Sequence, residues 1–493
     1  MIFTCLPCLG RLKLPLLVAT VVLLGGCATL SRDGGFGDVA TVAKQRLAKD
    51  ALWVRSASDA DSVQAIVKKL LAQPLTVDDA MQVALLNNRG LQATYAELGI
   101  AEADLVQVGR LRNPVFGYTN VLGGGSHKIE RSLGFEFLQF LTIPLAKRIE
   151  SRRFEQTKLL VANEVLHIAA ETRKAYFQAV AAQQNVRYAE QVKTAAEASA
   201  QLAERMARAG NFSKLDQARE QVFYADAAAQ FARTQQMTKS EREKLTRLMG
   251  VWGEDTRFQL PARLPALPAA RPELQDLEAF AMAERLDIQA ARRHSEGLAS
   301  SLGLTNATRF INVLELGPAQ IREAGEPVRN GYQISLEIPL FDWGGARIAR
   351  AEAMYMQSVN RLAETAVNAR SEVRATYADY IGMYDLAKHY RDEVVPLRKK
   401  ISDELLLRYN GMLVSVFELL ADTREQVASV NAAIDALKSF WLAETELQMA
   451  LGGRLPTTAM LHAPAADLPP PAMVKPAKPD MDADPHSQHR KGN

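Results

Sequence analysis

The sequence predicts a mainly helical protein with four β-strands, built from two copies of one unit of about 200 residues. The first observation is a set of internal matches. Arg173-x-x-Tyr176 recurs 201 positions later as Arg374-x-x-Tyr377, and Gly210 recurs as Gly411 at the same separation. The second is a pair of short segments with alternating apolar residues in each half, and the third is heptad spacing in very long stretches. Further matches keep the same order: Leu91-Gln92-Ala93 with Ile288-Gln289-Ala290, Ile143-Pro144-Leu145 with Ile338-Pro339-Leu340, Arg219-Glu220-Gln221-Val222 with Arg424-Glu425-Gln426-Val427, and Gly250 with Gly452.

Composition excludes three broad classes of protein. A formal net charge of +3 over 493 residues gives no reason to expect nucleic-acid binding, which requires a clustered basic surface. With 48% hydrophobic and 23% charged residues, the chain is not wholly disordered. Three cysteines are too few for a disulfide-dense scaffold.

The first 26 residues are predicted to be a lipoprotein signal peptide. Arg11 and Lys13 precede an apolar run that has the length of a signal-peptide core and is too short to cross a bilayer. The run ends in Leu24-Gly25-Gly26-Cys27, which resembles the lipobox of bacterial lipoproteins, so Cys27 is expected to become the lipidated first residue. The alternative is an ordinary secretory signal that contains a cysteine by chance. Ala28 after the cysteine resembles an outer-membrane address.

Loss of the signal peptide also removes two of the three cysteines. Cys5 and Cys8 leave with it, so their C-x-x-C spacing is not expected to form a redox or metal site. The covalent lipid on Cys27 is then the only non-protein group that we expect, with no cofactor. No run of eighteen apolar residues follows, so a membrane crossing would have to use closed β-strands.

The mature chain divides into five predicted segments. Residues 27–74 form a polar lead-in that the sequence does not place, residues 254–272 a linker, and residues 454–493 a Pro-rich disordered tail. The two units, 75–253 and 273–453, share one predicted order of elements. These are a first helix (75–112 and 274–307), two strands (114–122 and 131–143; 309–316 and 331–341) and a long helical hairpin that turns at Gly210 or Gly411.

The predicted strands carry apolar and polar residues on alternate positions. Leu133 and Phe135 alternate with Gly134 and Glu136, and the segment around Ile334 shows the same period of two. Alternation over about ten residues fits a transmembrane β-strand, and a soluble hairpin would show the same pattern in a single strand pair. Loops 123–130 and 317–330 are predicted to connect the strands.

The long stretches are predicted to be helices packed along a heptad seam. The first seam is rich in alanine, and the second repeats it at an offset of 201. Small seam residues allow close approach of neighbouring helices, as in a sheet of helices closed into a tube. Pro396 is expected to kink the second long helix. The two seams are Val161, Val165, Ile168, Thr172, Ala175, Ala179, Ala182, Val186 and Ala189, and Leu362, Ala366, Ala369, Val373, Thr376, Tyr380, Met383, Ala387 and Tyr390.

Four motifs together resemble TolC-type outer-membrane efflux proteins over residues 75–453. They are Ala84-Leu85-Leu86-Asn87-Asn88, Arg112-Asn113-Pro114, Ile338-Pro339-Leu340-Phe341-Asp342-Trp343-Gly344 and Arg408-Tyr409-Asn410-Gly411. The resemblance implies a homotrimer with a twelve-stranded transmembrane β-barrel, four strands from each chain, and a periplasmic α-barrel of coiled-coil helices. It also implies the outer-membrane channel of a tripartite efflux or type I secretion system, lipid-anchored in the outer membrane. The expected partners are a periplasmic adaptor, an inner-membrane pump and outer-membrane lipid, without nucleic acid.

The resemblance also implies three groups of functional residues. The hairpin tips would dock the adaptor, although the glycines there could simply end the helices in a left-handed turn. Acidic residues beyond the tips would narrow the periplasmic entrance as rings of like charge, or they could lie on a solvated helix face. Aromatic residues after the last strand would lie at the membrane rim, or they could pack at a turn. These residues are Ala209, Gly210, Asn211, Asn410, Gly411 and Met412 at the tips, Glu418, Asp422 and Asp216 at the entrance, and Phe341 and Trp343 at the rim.

An enzyme is not expected. The seven histidines show no H-E-x-x-H or His-Cys spacing, and no G-x-S-x-G elbow occurs, so no catalytic or metal-binding residue is predicted. The alternative to a channel is a periplasmic coiled-coil scaffold or adaptor lipoprotein without a pore. Two helical hairpins, each preceded by a strand pair, favour the channel.

Overall fold

The computed structural model describes residues 29–123, 126–271, 274–310 and 313–456. The predicted signal peptide, Cys27 and almost all of the predicted tail therefore lie outside the described residues. The described elements are, in order, α1 (Phe36–Leu47), α2 (Ala57–Leu71), α3 (Val77–Asn87), α4 (Arg89–Val108), β1 (Val115–Gly123), β2 (Ser126–Glu136), α5 (Phe137–Arg208), α6 (Lys214–Met249), α7 (Leu277–Glu284), α8 (Leu286–Ala307), β3 (Leu314–Glu323), β4 (Arg329–Leu336), α9 (Gly345–His389), α10 (Val395–Asn410) and α11 (Val416–Ala450).

The four strands form one antiparallel sheet in the order β1-β2-β3-β4. This confirms the predicted mainly helical chain with four strands. The strand pairs from the two halves join through β2 and β3, where Arg131 lies opposite Gln320 and Glu136 opposite Glu315. Helix α5 starts directly after β2, so the sheet lies at one end of the first long hairpin and the helix turn lies at the other.

The strand limits differ from the predicted ones. The second strand ends at Glu136, opposite Glu315 of β3, rather than at 143. The chain satisfies its backbone groups by entering a helix at Phe137 instead. The other predicted strand limits, 309–316 and 331–341, correspond to Leu314–Glu323 and Arg329–Leu336.

The loops at the free end of the sheet are shorter than predicted. Pairing continues to Gly123 opposite Ser126 in the first hairpin and to Ile321 opposite Arg329 in the second. The predicted loops 123–130 and 317–330 are therefore wrong in extent, since each paired residue satisfies its backbone donor and acceptor within the ladder.

The register gives the sheet two different faces. One face carries Phe135, Leu316 and Ile334 side by side, and we call it the apolar face. Along the opposite face, here called the polar face, one row consists of small residues only: Gly117, Ser132, Ala319 and Gly331.

Each predicted first helix is two helices. Asn88 between α3 and α4 has extended backbone angles, and its side chain accepts a hydrogen bond from the backbone N–H of Leu91 at 3.0 Å. The Asn88 amide also donates to the Leu248 carbonyl at 2.8 Å, so the break holds α4 against the end of α6. Arg285 makes the corresponding break between α7 and α8.

The long hairpins confirm the heptad prediction. Helix α5 has 72 residues, which at the α-helical rise is roughly 108 Å. All seam positions in α5 and in the stretch from Leu362 to Tyr390 are buried or half-buried. The interruption expected at Pro396 is a turn of π-helix at Tyr390–Val394. The wider turn accommodates a proline that cannot donate a hydrogen bond and whose ring crowds the carbonyl four residues earlier.

The lead-in that the sequence did not place is packed on the first long helix. Val39 and Ala43 on α1 are fully buried in one core with Val161 and Val165 of α5. Lys158 of α5 reaches Asp38 at 2.7 Å and secures α1 from outside that core. Helix α4 packs in the same core, through Leu91, Tyr95 and Leu98.

Candidate functional site

The first hairpin turns as predicted at its glycine. Gly210 has φ +78°, a left-handed conformation that glycine adopts without steric cost. The Asn211 N–H donates to the Met206 carbonyl at 2.9 Å and the Gly210 N–H to the Ala207 carbonyl at 3.1 Å. These two bonds are those of a Schellman helix end.

The second hairpin has the same helix end, but the left-handed residue is Met412. Gly411 has φ −79°, whereas Met412 has φ +59°. The Leu413 N–H donates to the Arg408 carbonyl at 2.9 Å, and the Met412 N–H donates to the Tyr409 carbonyl at 3.0 Å. The expectation that Gly411 ends the helix in a left-handed turn is therefore wrong, and Met412 corresponds to Gly210. A non-glycine residue in this conformation costs about 1–2 kcal/mol.

The two tips present different surfaces. At the first tip, Ala209, Gly210 and Asn211 are exposed and either small or polar. At the second tip, the side chains of Met412 and Leu413 are 94% and 77% exposed. An apolar surface of this kind on a helix turn is typical of a protein interface.

The three acidic candidates lie in different environments. Asp216 accepts a hydrogen bond from Ser213 and pairs with Arg219 at 3.1 Å, so both of its oxygens serve the start of α6. Asp422 is buried between α10 and α11 and accepts a hydrogen bond from the Ser402 hydroxyl. Glu418, in the first turn of α11, is exposed and makes no side-chain hydrogen bond or ion pair with the described part of the chain.

The structure reveals a contact between the hairpins that sequence reasoning missed. Glu220 of α6 is only 3% exposed; it accepts a hydrogen bond from Ser199 at 2.9 Å and pairs with Arg424 of α11 at 3.1 Å. Arg424 also lies over the Phe223 ring, 4.6 Å from its centre. We call the Glu220–Arg424 pair the hairpin link, because it joins the first hairpin to the second.

A sequence signal for the hairpin link did exist. Glu220 precedes the buried Ala227 by seven residues, so it occupies the same heptad position as a core residue. A carboxylate in such a position requires a partner from a neighbouring helix. The motif that contains Glu220 and the motif that contains Arg424 were matched as copies in the sequence, which gave no indication of contact.

The rim aromatics lie between the sheet and the long helices. Phe341 is 98% exposed and thus is not packed within the protomer, whereas Trp343 contacts Phe310 edge-on at 6.5 Å. Sequence reasoning missed Phe137 and Phe140 in the first turn of α5; both are exposed, and their rings lie 5.9 Å apart. All of these residues lie in segments of the chain that join the sheet to helices.

Two further findings concern metals and membrane spans. Among the residues described, no group of three or more His, Cys, Asp or Glu side chains is placed to hold a metal ion. None of the helices in the described ranges combines the length and the apolar character that a bilayer crossing requires.

Comparison with known proteins defines the class of fold. No family profile matches the sequence. The chain is similar to the outer-membrane channel OprN, with 20% identity, a TM-score of 0.65, and coverage of 79% of this chain and 92% of that one. It is also similar to the MtrE outer membrane channel of Neisseria gonorrhoeae in its open state, with 17% identity, a TM-score of 0.64, and coverage of 76% and 89%. The chain has the fold of TolC-type outer-membrane channels, which confirms the predicted resemblance.

One curated relative gives a more particular match. The chain is 26% identical over 283 residues to the cobalt-zinc-cadmium resistance protein CzcC of Cupriavidus metallidurans. The match covers 55% of this chain and spans 63% of the length of that relative. The matched proteins are channels and a resistance protein rather than enzymes, in agreement with the expectation of a non-enzymatic chain.

Proposed function

We propose that the protein is the outer-membrane channel of a tripartite efflux system, or of a type I secretion system, and that it acts as a homotrimer. The observation that carries the proposal is the sheet, which has one apolar and one polar face and lies at the end of helices roughly 100 Å long. An apolar face suits lipid, and a polar face with a row of small residues suits a water-filled bore. The helices would then extend through the periplasm to the adaptor and the inner-membrane pump.

The open edges of the sheet support an oligomer. β1 and β4 are its first and last strands, so each has one side without a strand partner among the described residues of the protomer. Unpaired edges do not persist in lipid, and four strands cannot close on themselves around a useful bore. Three chains would supply twelve strands, with edge β1 of one protomer paired to edge β4 of the next.

The lipid anchor is proposed from the position of the first described residues. The backbone N–H of Ser31 donates to Glu102 of α4 at 2.7 Å, and Glu102 lies six residues, about 9 Å, from the end of the helix nearest the sheet. Cys27 precedes Ser31 by four residues and could reach about 14 Å further. A lipid on Cys27 would therefore enter the outer membrane beside the aromatic rim. Mass spectrometry of the mature N-terminal peptide tests this, since an acylated Cys27 without residues 1–26 is expected.

The docking and gating roles remain proposals for the tips. The exposed apolar residues at the second tip would contact the adaptor, and Glu418 would narrow the entrance as a ring of three carboxylates. Such a ring would favour cations. The name of CzcC makes cobalt, zinc and cadmium ions the first cargo to test.

Single-channel conductance of the purified protein in a planar bilayer, with its oligomeric mass, tests the proposed function. A trimeric mass and a cation-selective conductance that loses selectivity in Glu418→Ala are expected. Asp435→Ala is the control, because Asp435 lies on the same helix, far from the tip, and pairs with Lys438 at 2.7 Å. If both variants conduct with the same cation selectivity, the protein is still a channel, but Glu418 does not set its selectivity. A monomer without conductance would favour the scaffold alternative.

Adjacent cysteines on β4 are expected to distinguish the two faces of the sheet. Gly331 lies on the polar face with open space beside it, and Tyr332 lies on the apolar face. In membrane-reconstituted protein, a charged maleimide should label Gly331→Cys at least about tenfold faster than Tyr332→Cys, because charge is costly on a lipid-covered face. Equal labelling would indicate a soluble hairpin. Cys27 is the only cysteine outside the predicted signal peptide, so the background is low.

A further inference from the structure

Two exposed arginines lie on the apolar face of the sheet. Arg131 of β2 lies opposite Tyr118 and Gln320, and Arg322 of β3 lies opposite Ile129. Alternation along the strands places both on the face that carries Phe135 and Leu316. Neither arginine has a hydrogen bond or an ion pair with the described ranges of the chain, and both are exposed.

The charges on the polar face are paired, in contrast. Lys128 and Glu130 lie 2.5 Å apart, and Arg329 contacts Glu323 at 3.6 Å and also Glu326. Near the free end of the sheet, charges on the polar face are thus neutralised within the protein, while those on the apolar face are left to an external partner. An external group that neutralises them would be anionic.

Position along the strands indicates where the partner lies. Arg131 is four residues, about 14 Å, from Phe135 in the direction away from the helices. Apolar residues predominate in the half of the face near the helices. Polar residues begin at the level of Arg131, the middle residue of β2, and Arg322 lies beside Ile129 in the half near the β-turns. In the proposed orientation this half reaches the outer leaflet, at the level of the lipid headgroups.

The two arginines can act on one ligand. They are diagonal neighbours on β2 and β3, a relation in which residues are about 7–8 Å apart. Two guanidinium groups at that spacing can hold one phosphate group between them or contact two phosphates of one headgroup. Guanidinium groups are well matched to phosphate oxygens because they offer paired N–H donors in a plane.

We propose that Arg131 and Arg322 form a binding site for the phosphate groups of outer-leaflet lipid. The site rests on the proposed function, since only a membrane-inserted sheet presents this face to lipid. It holds the trimer at a fixed depth by tying the free end of each sheet to the headgroup layer, while the aromatic rim contacts the opposite interface.

Lipid retention by the purified full-length trimer tests the site. Three proteins are compared: the wild type, Arg131→Gln/Arg322→Gln and the control Arg329→Gln. Each is equilibrated in detergent with a phosphorylated lipid and a neutral glycolipid. Native mass spectrometry then counts the lipid molecules that each trimer retains. The double variant is expected to lose about tenfold in retention of the phosphorylated lipid. The control, on the polar face, should retain as much as the wild type. Arg131→Lys/Arg322→Lys should recover part of the loss.

Three outcomes would overturn the site. If all variants retain the same amount of phosphorylated lipid, the two arginines do not bind it. If Arg329→Gln also loses the lipid, the effect comes from the total charge of the sheet and not from this site. Displacement of the lipid by millimolar inorganic phosphate assigns the site to a soluble anion. Conductance and trimer mass are measured on the same preparations. If the wild type shows neither conductance nor a trimeric mass, the proposed function is wrong. If the double variant conducts and still retains the phosphorylated lipid, only the proposed lipid site is wrong.

Discussion

Arg424→Glu is expected to open the helical end of the proposed channel and raise single-channel conductance several-fold. The substitution places two carboxylates at the hairpin link, where Glu220 is 3% exposed and has no other described cation within ion-pair distance. Loss of a buried charge partner costs about 3–5 kcal/mol, and the partial exposure of Arg424, at 41%, lowers the expected cost to about 2 kcal/mol. That is enough to shift a hairpin that is held at its tip by few contacts.

Planar-bilayer conductance, together with entry of a large antibiotic into cells, measures the effect of Arg424→Glu. Arg398→Glu is the matched control, because Arg398 pairs with Glu425 at 3.0 Å within the second hairpin and does not join the two hairpins. The reversed pair, Glu220→Arg with Arg424→Glu, should restore the low conductance. A conductance that is the same in wild type and Arg424→Glu would show that the hairpin link does not control the bore.

Periodicity explains which parts of the fold the sequence could predict. The heptad seams persist over some thirty residues in each half, so a single misplaced residue does not hide them. The strand number was predictable for the same reason. Strand limits were not, because the apolar residues of Phe137–Ile143 fit a strand or a helix, and the chain continues there as a helix.

Tertiary contacts explain what the sequence could not predict. The turn at Met412 was missed because Gly411 beside it looked like the conformationally free residue, yet the hydrogen bonds of the helix end place the left-handed position one residue later. The hairpin link was missed because Glu220 and Arg424 are 204 residues apart and meet only when the two hairpins pack. The lead-in was missed because its two helices carry only short apolar stripes, Val39 and Ala43 on α1 and Val63 and Val67 on α2.

Of the predicted site residues, the structure favours Glu418 over the other two acidic candidates. Sequence position already favoured Glu418, which follows the turn at Gly411 by seven residues, and the structure agrees with that order. The distinction comes from hydrogen bonding: the Asp216 carboxylate accepts from the Ser213 hydroxyl and from Arg219, and the Asp422 carboxylate is buried against Ser402. A carboxylate already satisfied within the protomer is less available to a passing ion.

Phe440→Ala is expected to lower the free energy of unfolding by about 3–5 kcal/mol. Phe440 on α11 is fully buried, and its ring lies 5.7 Å from each of Tyr380 and Tyr384 of α9 and 5.0 Å from Trp441. Removal of the ring leaves a cavity and breaks three aromatic contacts at once, since the flanking rings are held in place. Tyr384 donates to the carbonyl of Pro268, and Trp441 donates to that of Pro265.

Guanidinium unfolding of the detergent-extracted protein, followed by helical circular dichroism, measures this loss. Phe341→Ala is the control: it removes the same side chain at a position that is 98% exposed in the protomer, so its free energy of unfolding should stay within about 0.5 kcal/mol of the wild type. Phe440→Leu should lose less than half as much as Phe440→Ala, because leucine refills part of the cavity. Similar midpoints for Phe440→Ala and Phe341→Ala would mean that α9 and α11 are held together mainly by contacts between protomers. In that case the stability of the second hairpin would depend on trimer formation, and the midpoint would rise with protein concentration.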